Sequence, residues 1–124
     1  MSGAPILLLT GEDLMRIADR MGLVVRDEGL LLSAAMRPAT RLFGSDTYPD
    51  LETKAAVVMD SIVSHHPLVD GNKRLGWVSL VMTLALNDVR LDVDDDEAFA
   101  LTIGVAEGSL ELDDIVAQVR RWLA

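Results

Sequence analysis

The run His65-His66-Pro67-Leu68-Val69-Asp70-Gly71-Asn72-Lys73-Arg74 puts an imidazole, a carboxylate, a glycine and two cations into one connector between two apolar segments. His66 is the group in this run whose ordinary pKa suits general-base work near neutral pH. Gly71 supplies a backbone position free of Cβ restrictions. Asn72 opens the following helix, whose first N–H groups have no partner within it. Those donors, the helix dipole, and Lys73 and Arg74 in the first turn make a cradle suited to phosphate. Cations at this end of a helix oppose the dipole by a few tenths of a kcal/mol, and a bound anion removes the conflict. Asp70 is a hard oxygen ligand beside the cradle, and one carboxylate plus polyphosphate oxygens is a usual environment for Mg²⁺. The residues therefore point to transfer of a phosphate-bearing group from a nucleotide. His66 is the candidate catalytic base, Gly71, Asn72, Lys73 and Arg74 bind phosphate, and Asp70 holds the metal.

Taken singly, Asp70-Gly71-Asn72 is a turn with a cap, and His66 is an ordinary histidine; only their conjunction marks a site. Two other chemistries fail on spacing. A Walker phosphate loop needs glycine where His66 stands, and a zinc site from His65, His66 and Asp70 lacks histidines at helical i, i+4 positions.

The flanking elements read as helices. Thr10 and Asp13 form a capping-box pair ahead of Leu14, Ile17, Ala18 and Met21, which recur at helical spacing up to Gly22. Asp27 caps a second helix with Leu30, Leu31, Ala34 and Ala35 on its buried stripe, and Pro38 disfavours its continuation through Arg37, although a further short turn reaching Arg41 is compatible with the sequence. Residues 43–50 concentrate turn formers and read as a surface loop, either a solvated connection pinned by Tyr48 and Pro49 or a segment that helps dock a target. Arg37, Arg41 and Lys54 read as surface charges, any of which has the reach to meet a nucleotide. Asp50 caps an amphipathic helix with Leu51, Ala55, Val58, Met59, Ile62 and Val63 on one face, ending near His65 because Pro67 pushes His66 out of the helical region. Residues 72–87 are apolar almost all round, the pattern of a helix at the centre of a bundle. A short extended piece at 90–93 precedes two final helices at about 97–106 and 112–123, separated at Gly108. The expectation is an all-α fold, a compact bundle of about six helices around the buried helix at 72–87, in a single domain over residues 1–124.

Bulk properties set the boundaries. One chain of 124 residues has the length of an ordinary domain. Eleven Lys plus Arg against twenty Asp plus Glu leave a formal charge of −9, which repels nucleic-acid backbones and makes nucleic acid an unexpected partner. Cysteine is absent, so disulfides and thiolate metal sites are excluded. The N-terminus lacks the basic flank and long apolar run of a secretory leader, and the uncharged stretch at 75–86 falls short of the roughly 20 residues a bilayer requires. A cytoplasmic protein with no membrane partner is expected. Half the residues are hydrophobic, which fits either a well-filled core or a groove that a partner covers.

The segment from His66 to Arg74 resembles the motif of the Fic family, His-Pro-Phe-x-(Asp or Glu)-Gly-Asn-(Gly or Lys)-Arg. The likeness is closest to the Doc (death-on-curing) toxin subfamily and extends from Leu9-Thr-Gly-Glu-Asp-Leu14 through Val25-Arg-Asp-Glu-Gly-Leu-Leu31 and Tyr48-Pro-Asp50 to Ala106-Glu-Gly108. It implies a helical fold with His66 as base toward a protein hydroxyl, Asp70 as Mg²⁺ ligand, Gly71 and Asn72 as anion-hole backbone and amide, and Lys73 and Arg74 as phosphate contacts. Most Fic proteins move AMP from ATP. Doc-like members carry Lys where AMP-transferring members carry Gly, and they are kinases that phosphorylate a threonine of elongation factor Tu, arresting translation. Lys73 places this chain on the kinase side, with ATP as co-substrate and Mg²⁺ as cofactor. Such toxins pair with a prevents-host-death-type antitoxin whose C-terminal helix occupies a toxin groove. Two positions depart from the pattern. Leu68 replaces the usual Phe, a change of packing volume, and Trp77 stands where AMP-transferring members have a second Arg. AMP transfer and a non-catalytic anion- or partner-binding module are the alternatives to the kinase.

Overall fold

The computed structural model describes residues 5–124, so residues 1–4 of the terminus read above for a leader lie outside the described residues. Thr10 accepts a hydrogen bond from the Asp13 N–H while the Asp13 carboxylate accepts from the Thr10 N–H, and this capping box starts α1 (Gly11–Arg20). Asp27 caps α2 (Glu28–Met36) through the Leu30 N–H. Arg37–Ala39 then forms a 3₁₀ turn containing Pro38, which bars continuation of the α-helix.

After this turn the chain departs from the expected surface loop. Residues 41–46 are not loop or further helical turn but a two-stranded hairpin, β1 (Arg41–Leu42) and β2 (Ser45–Asp46), with Arg41 opposite Asp46. Phe43 and Gly44 both take positive φ (51° and 80°), the twist that two-residue hairpin turns prefer. Phenylalanine is an uncommon residue in that conformation, which hid the hairpin signal. An Arg41–Asp46 ion pair at 2.7 Å spans the strands.

Asp50 accepts from the Thr53 N–H at 2.8 Å and starts α3 (Leu51–His65). Beyond the connector come α4 (Asn72–Leu86), α5 (Asp95–Ala106) and α6 (Leu112–Leu123). Helix α5 begins two residues before the expected start because Asp95 and Asp96 join its first turn, where carboxylates complement the dipole. Residues 90–93 pair with no strand among the described residues.

The centre is a pair of helices. Helix α4 is central but buries one stripe, Leu75, Gly76, Ser79, Leu80, Thr83 and Leu84, and leaves the apolar Met82, Ala85 and Leu86 exposed, whereas α3 is buried nearly all round, not on a single face: Lys54, Ala56, Val57 and Ser61 are covered as well as the anticipated stripe. One apolar cluster joins α3 and α4 to α5 and α6 through Met59, Leu80, Leu84, Leu101, Val105, Ile115 and Val119. A second joins them to α1 and α2 through Leu14, Ala18, Leu31, Val58, Ile62 and Leu75. Close approach of the pair depends on Gly76, where a Cβ would lie 2.5 Å from Val63 Cγ2. Among the described residues no helix is long and apolar enough to cross a membrane.

Two of the three presumed surface charges turn out to be structural. Lys54 is 5% exposed and donates to the Pro38 carbonyl at 2.8 Å. Arg37 donates to Asp60 and Ser61 Oγ, each at 2.9 Å, and lies over the Tyr48 ring. Burial works against the Arg37 charge, yet its bonds with Asp60 and Tyr48 hold its pKa above the ordinary arginine value. Arg37 ties the 3₁₀ turn to α3, Lys54 ties the turn and, through Asp46 at 3.6 Å, the hairpin to α3, and Arg41 stays exposed.

Candidate active site

Helix α3 ends at His65, and His66 takes a left-handed conformation, φ 54° and ψ 59°, with its N–H donating to the Ile62 carbonyl at 3.2 Å. A non-glycine residue in that region is strained by roughly 1–2 kcal/mol and persists only when its surroundings enforce it. Enforcement comes from residues 24–27. The Val24 carbonyl accepts from the Val69 N–H at 2.9 Å, Val25 bridges Leu68, and the Arg26 and Asp27 N–H groups both donate to the Pro67 carbonyl, at 2.8 and 2.9 Å. Arg26 also donates through Nε (3.0 Å) and Nη2 to the His66 carbonyl.

Leu68, at 1% exposure, anchors the underside of the connector in the cluster shared with Leu14, Leu31 and Leu75. Its role is bulk, as the departure from Phe suggested. Asn72 closes the loop from the helix side. Its Oδ1 accepts from the Leu68 N–H at 2.9 Å, and its Nδ2 donates to the Leu68 carbonyl at 3.1 Å and approaches His66 Nδ1 at 3.5 Å. The Asn72 carboxamide thus lies within the loop, touching the imidazole, and the backbone N–H is what it presents at the free end of α4.

That end has no side-chain cap, and the first helical donor bonded within the chain is the Leu75 N–H, to the Gly71 carbonyl at 2.9 Å. The N–H groups of Asn72, Lys73 and Arg74 come before it. Gly71, with φ 88°, turns the chain into the helix, and a Cβ there would sit 2.6 Å from Leu23 Cδ2. Asp70 is exposed, and one of its carboxylate oxygens accepts from the Gly71 N–H at 2.9 Å.

His66, Asp70, Gly71, Asn72, Lys73 and Arg74 line one cavity of about 280 Å³, closed on the far side by Ala106 at the end of α5. Lys73 and Arg74 also border a neighbouring cavity of similar size, with Trp77, Phe99 and Thr102 on its walls. Trp77, the other departure, packs edge-to-face against Trp122 with centroids 5.8 Å apart. Larger hollows occur elsewhere, about 480 Å³ between α1 and α4 and about 580 Å³ beside α2 and α3, but neither gathers a base, a carboxylate and a free helix end.

The donor set can be tested against Mg²⁺. No group of three His, Cys, Asp or Glu side chains able to hold a metal exists among the described residues. One carboxylate with a spare oxygen, beside a phosphate cradle, fits an ion carried in by a polyphosphate, which keeps most of its ligands from phosphate and water.

A model described as the Fic/DOC family matches residues 7–84, a span that takes in α1 to α3, the connector and most of α4. The chain belongs to the Fic/DOC family. The protein named Toxin Doc of Mycolicibacterium smegmatis is 42% identical over 104 residues, covering 82% of this chain and 80% of that protein. The matched span contains the whole connector between α3 and α4. Residues 66–74, contiguous in sequence, come together in the structure, and residues 23–27 grip them from outside that run. Val25-Arg-Asp-Glu-Gly-Leu-Leu31 lies within the family likeness, but the sequence marks only Asp27 as a helix cap and Leu30 and Leu31 as a buried stripe, with nothing to show that residues 23–27 meet the connector.

Proposed function

We propose that this Fic/DOC protein is the toxin of a toxin–antitoxin pair and an ATP-dependent protein kinase. It moves the γ-phosphate of ATP to a threonine hydroxyl of elongation factor Tu, which arrests translation, and a prevents-host-death-type antitoxin holds it in check. The observation that carries this reading is the convergence of His66, Asp70 and residues 71–74 on one cavity. Lys73 stands where AMP-transferring relatives have glycine, which favours γ-phosphoryl transfer over AMP transfer.

In the reaction, His66 takes the proton of the incoming hydroxyl as its oxygen bonds to the γ-phosphorus. The bond from that phosphorus to the β,γ-bridging oxygen breaks, and ADP leaves with the electron pair. The N–H groups at the start of α4, with Lys73 and Arg74, bind the transferring phosphate and balance its charge; positioning and neutralisation are most of what phosphoryl transfer requires. Mg²⁺, held through Asp70 when bound with the nucleotide, adds further neutralisation of phosphate oxygens. Leu68 and Asn72 keep the imidazole beside the cradle.

Incubation of the protein and elongation factor Tu with ATP labelled at either the α or the γ position tests the reading. Label arriving only from the γ position is expected. Arrival only from the α position makes the protein an AMP transferase, and toxicity in cells that survives His66→Ala makes it a binding module.

A further inference from the structure

Five consecutive residues, 23–27, hold both halves of the site. Leu23 fills the space a Cβ would take at Gly71, Val24 and Val25 pair with Val69 and Leu68, and the N–H groups of Arg26 and Asp27 converge on the Pro67 carbonyl. Within this strap Arg26 is the residue whose side chain hydrogen-bonds to His66. Two of its N–H groups meet the carbonyl of His66, the residue held in left-handed backbone just ahead of a proline. Among the described residues Arg26 makes no ion pair. Its guanidinium is committed to a neutral backbone oxygen, and a charged donor makes that bond stronger than a neutral one would be.

We propose that Arg26 is a positioning residue, whose forked bond to the His66 carbonyl fixes the strained backbone that presents the imidazole to the target hydroxyl. This rests on the phosphoryl-transfer reading and assigns part of its rate to a residue 40 positions away in sequence. Arg26 touches neither nucleotide nor target. The cradle is held separately, by Leu23 under Gly71 and by α4 itself, so loss of Arg26 lets the base drift and leaves phosphate binding in place. A displacement on the scale of an ångström costs on the order of 100-fold in rate.

The test compares wild type, Arg26→Ala and Arg26→Lys in γ-label transfer, with kcat and KM for ATP measured apart and thermal melting alongside. Arg26→Ala is expected to lower kcat on the order of 10- to 100-fold with KM for ATP unchanged and a cooperative melt retained at a modestly lower temperature. Arg26→Lys, which restores one charged donor, recovers part of the lost kcat. Wild-type kcat in Arg26→Ala, a rise in KM that accounts for the whole loss, or Arg26→Lys no better than Arg26→Ala overturns the assignment. An activity-independent measurement separates it from the kinase reading: in NMR spectra of the intact chain, Arg26→Ala shifts or broadens the His66 imidazole and backbone resonances while those of α6 stay put. Wild type that transfers no phosphate sinks the kinase, and unmoved His66 resonances sink the strap.

Discussion

His66 and Gly71 separate two demands the site makes on single residues, one chemical and one conformational. The His66 side chain is exposed at the end of α3, so His66→Ala is expected to remove general-base catalysis, on the order of 10²- to 10⁴-fold in transfer rate, with the melting temperature unchanged. Rate constants from γ-label transfer and a thermal melt check both halves. Gly71 answers to backbone geometry. An alanine there meets a positive φ and the Leu23 side chain, so Gly71→Ala should cost about 1 kcal/mol or more in urea denaturation and weaken ATP binding measured by calorimetry. Wild-type affinity in a folded Gly71→Ala protein would show that the cradle does not need this turn. At this scale much was legible from sequence, because residues 66–74 are contiguous and each group declares its chemistry by type. Arg26 was not legible: its partner is the His66 carbonyl, and backbone oxygens leave no mark in a side-chain pattern.

Helices announce their starts more clearly than their surroundings. Thr10, Asp27 and Asp50 cap α1, α2 and α3 as their types suggest, since each offers an oxygen to N–H groups otherwise unpaired. The hairpin at 41–46 escaped because its turn relies on Phe43 in a conformation few phenylalanines adopt, and the burial of α3 was underestimated because Lys54 and Ser61 look polar in a one-dimensional pattern. Asp50 carries a prediction at this scale. Burial pushes its carboxyl upward, but hydrogen bonds from Thr53 and the contact with Arg120 of α6 outweigh it and leave the pKa below the ordinary value. A depressed folded pKa stabilises above the unfolded value of about 3.9 and loses that contribution as pH falls through the folded value. Asp50→Ala is therefore expected to cost about 1 kcal/mol at pH 7, with the gap to wild type closing below about pH 4. Denaturant midpoints across pH measure it, and a gap that persists into acid would assign the cap's effect to something other than charge. Gly76→Ala belongs here as well: a methyl 2.5 Å from Val63 Cγ2 pushes α3 and α4 apart, and overpacking of this kind costs about 1–3 kcal/mol.

Across the whole molecule, the two apolar clusters share α3 and α4, so the pair that begins and ends at the connector is also the pair on which both halves of the core rest. Anything that binds the start of α4 in the folded chain and not in the unfolded one must stabilise the entire bundle. The net charge of −9 works against anionic ligands at long range, leaving the local arrangement of Lys73, Arg74 and the free N–H groups to overcome it. ATP with Mg²⁺ at about 100 times its dissociation constant is expected to stabilise the fold by about 2.7 kcal/mol, a shift plainly visible in a melting curve. Raising salt should shrink the shift by screening the exposed cations, and replacing both Lys73 and Arg74 by alanine should abolish most of it. Arg121→Glu, in the last turn of α6, changes net charge without touching the cavity and should leave it nearly intact. An equal shift in the Lys73/Arg74 double variant would place the nucleotide elsewhere on the surface, and the hollows between α1 and α4 and beside α2 and α3 would then be the places to look for it.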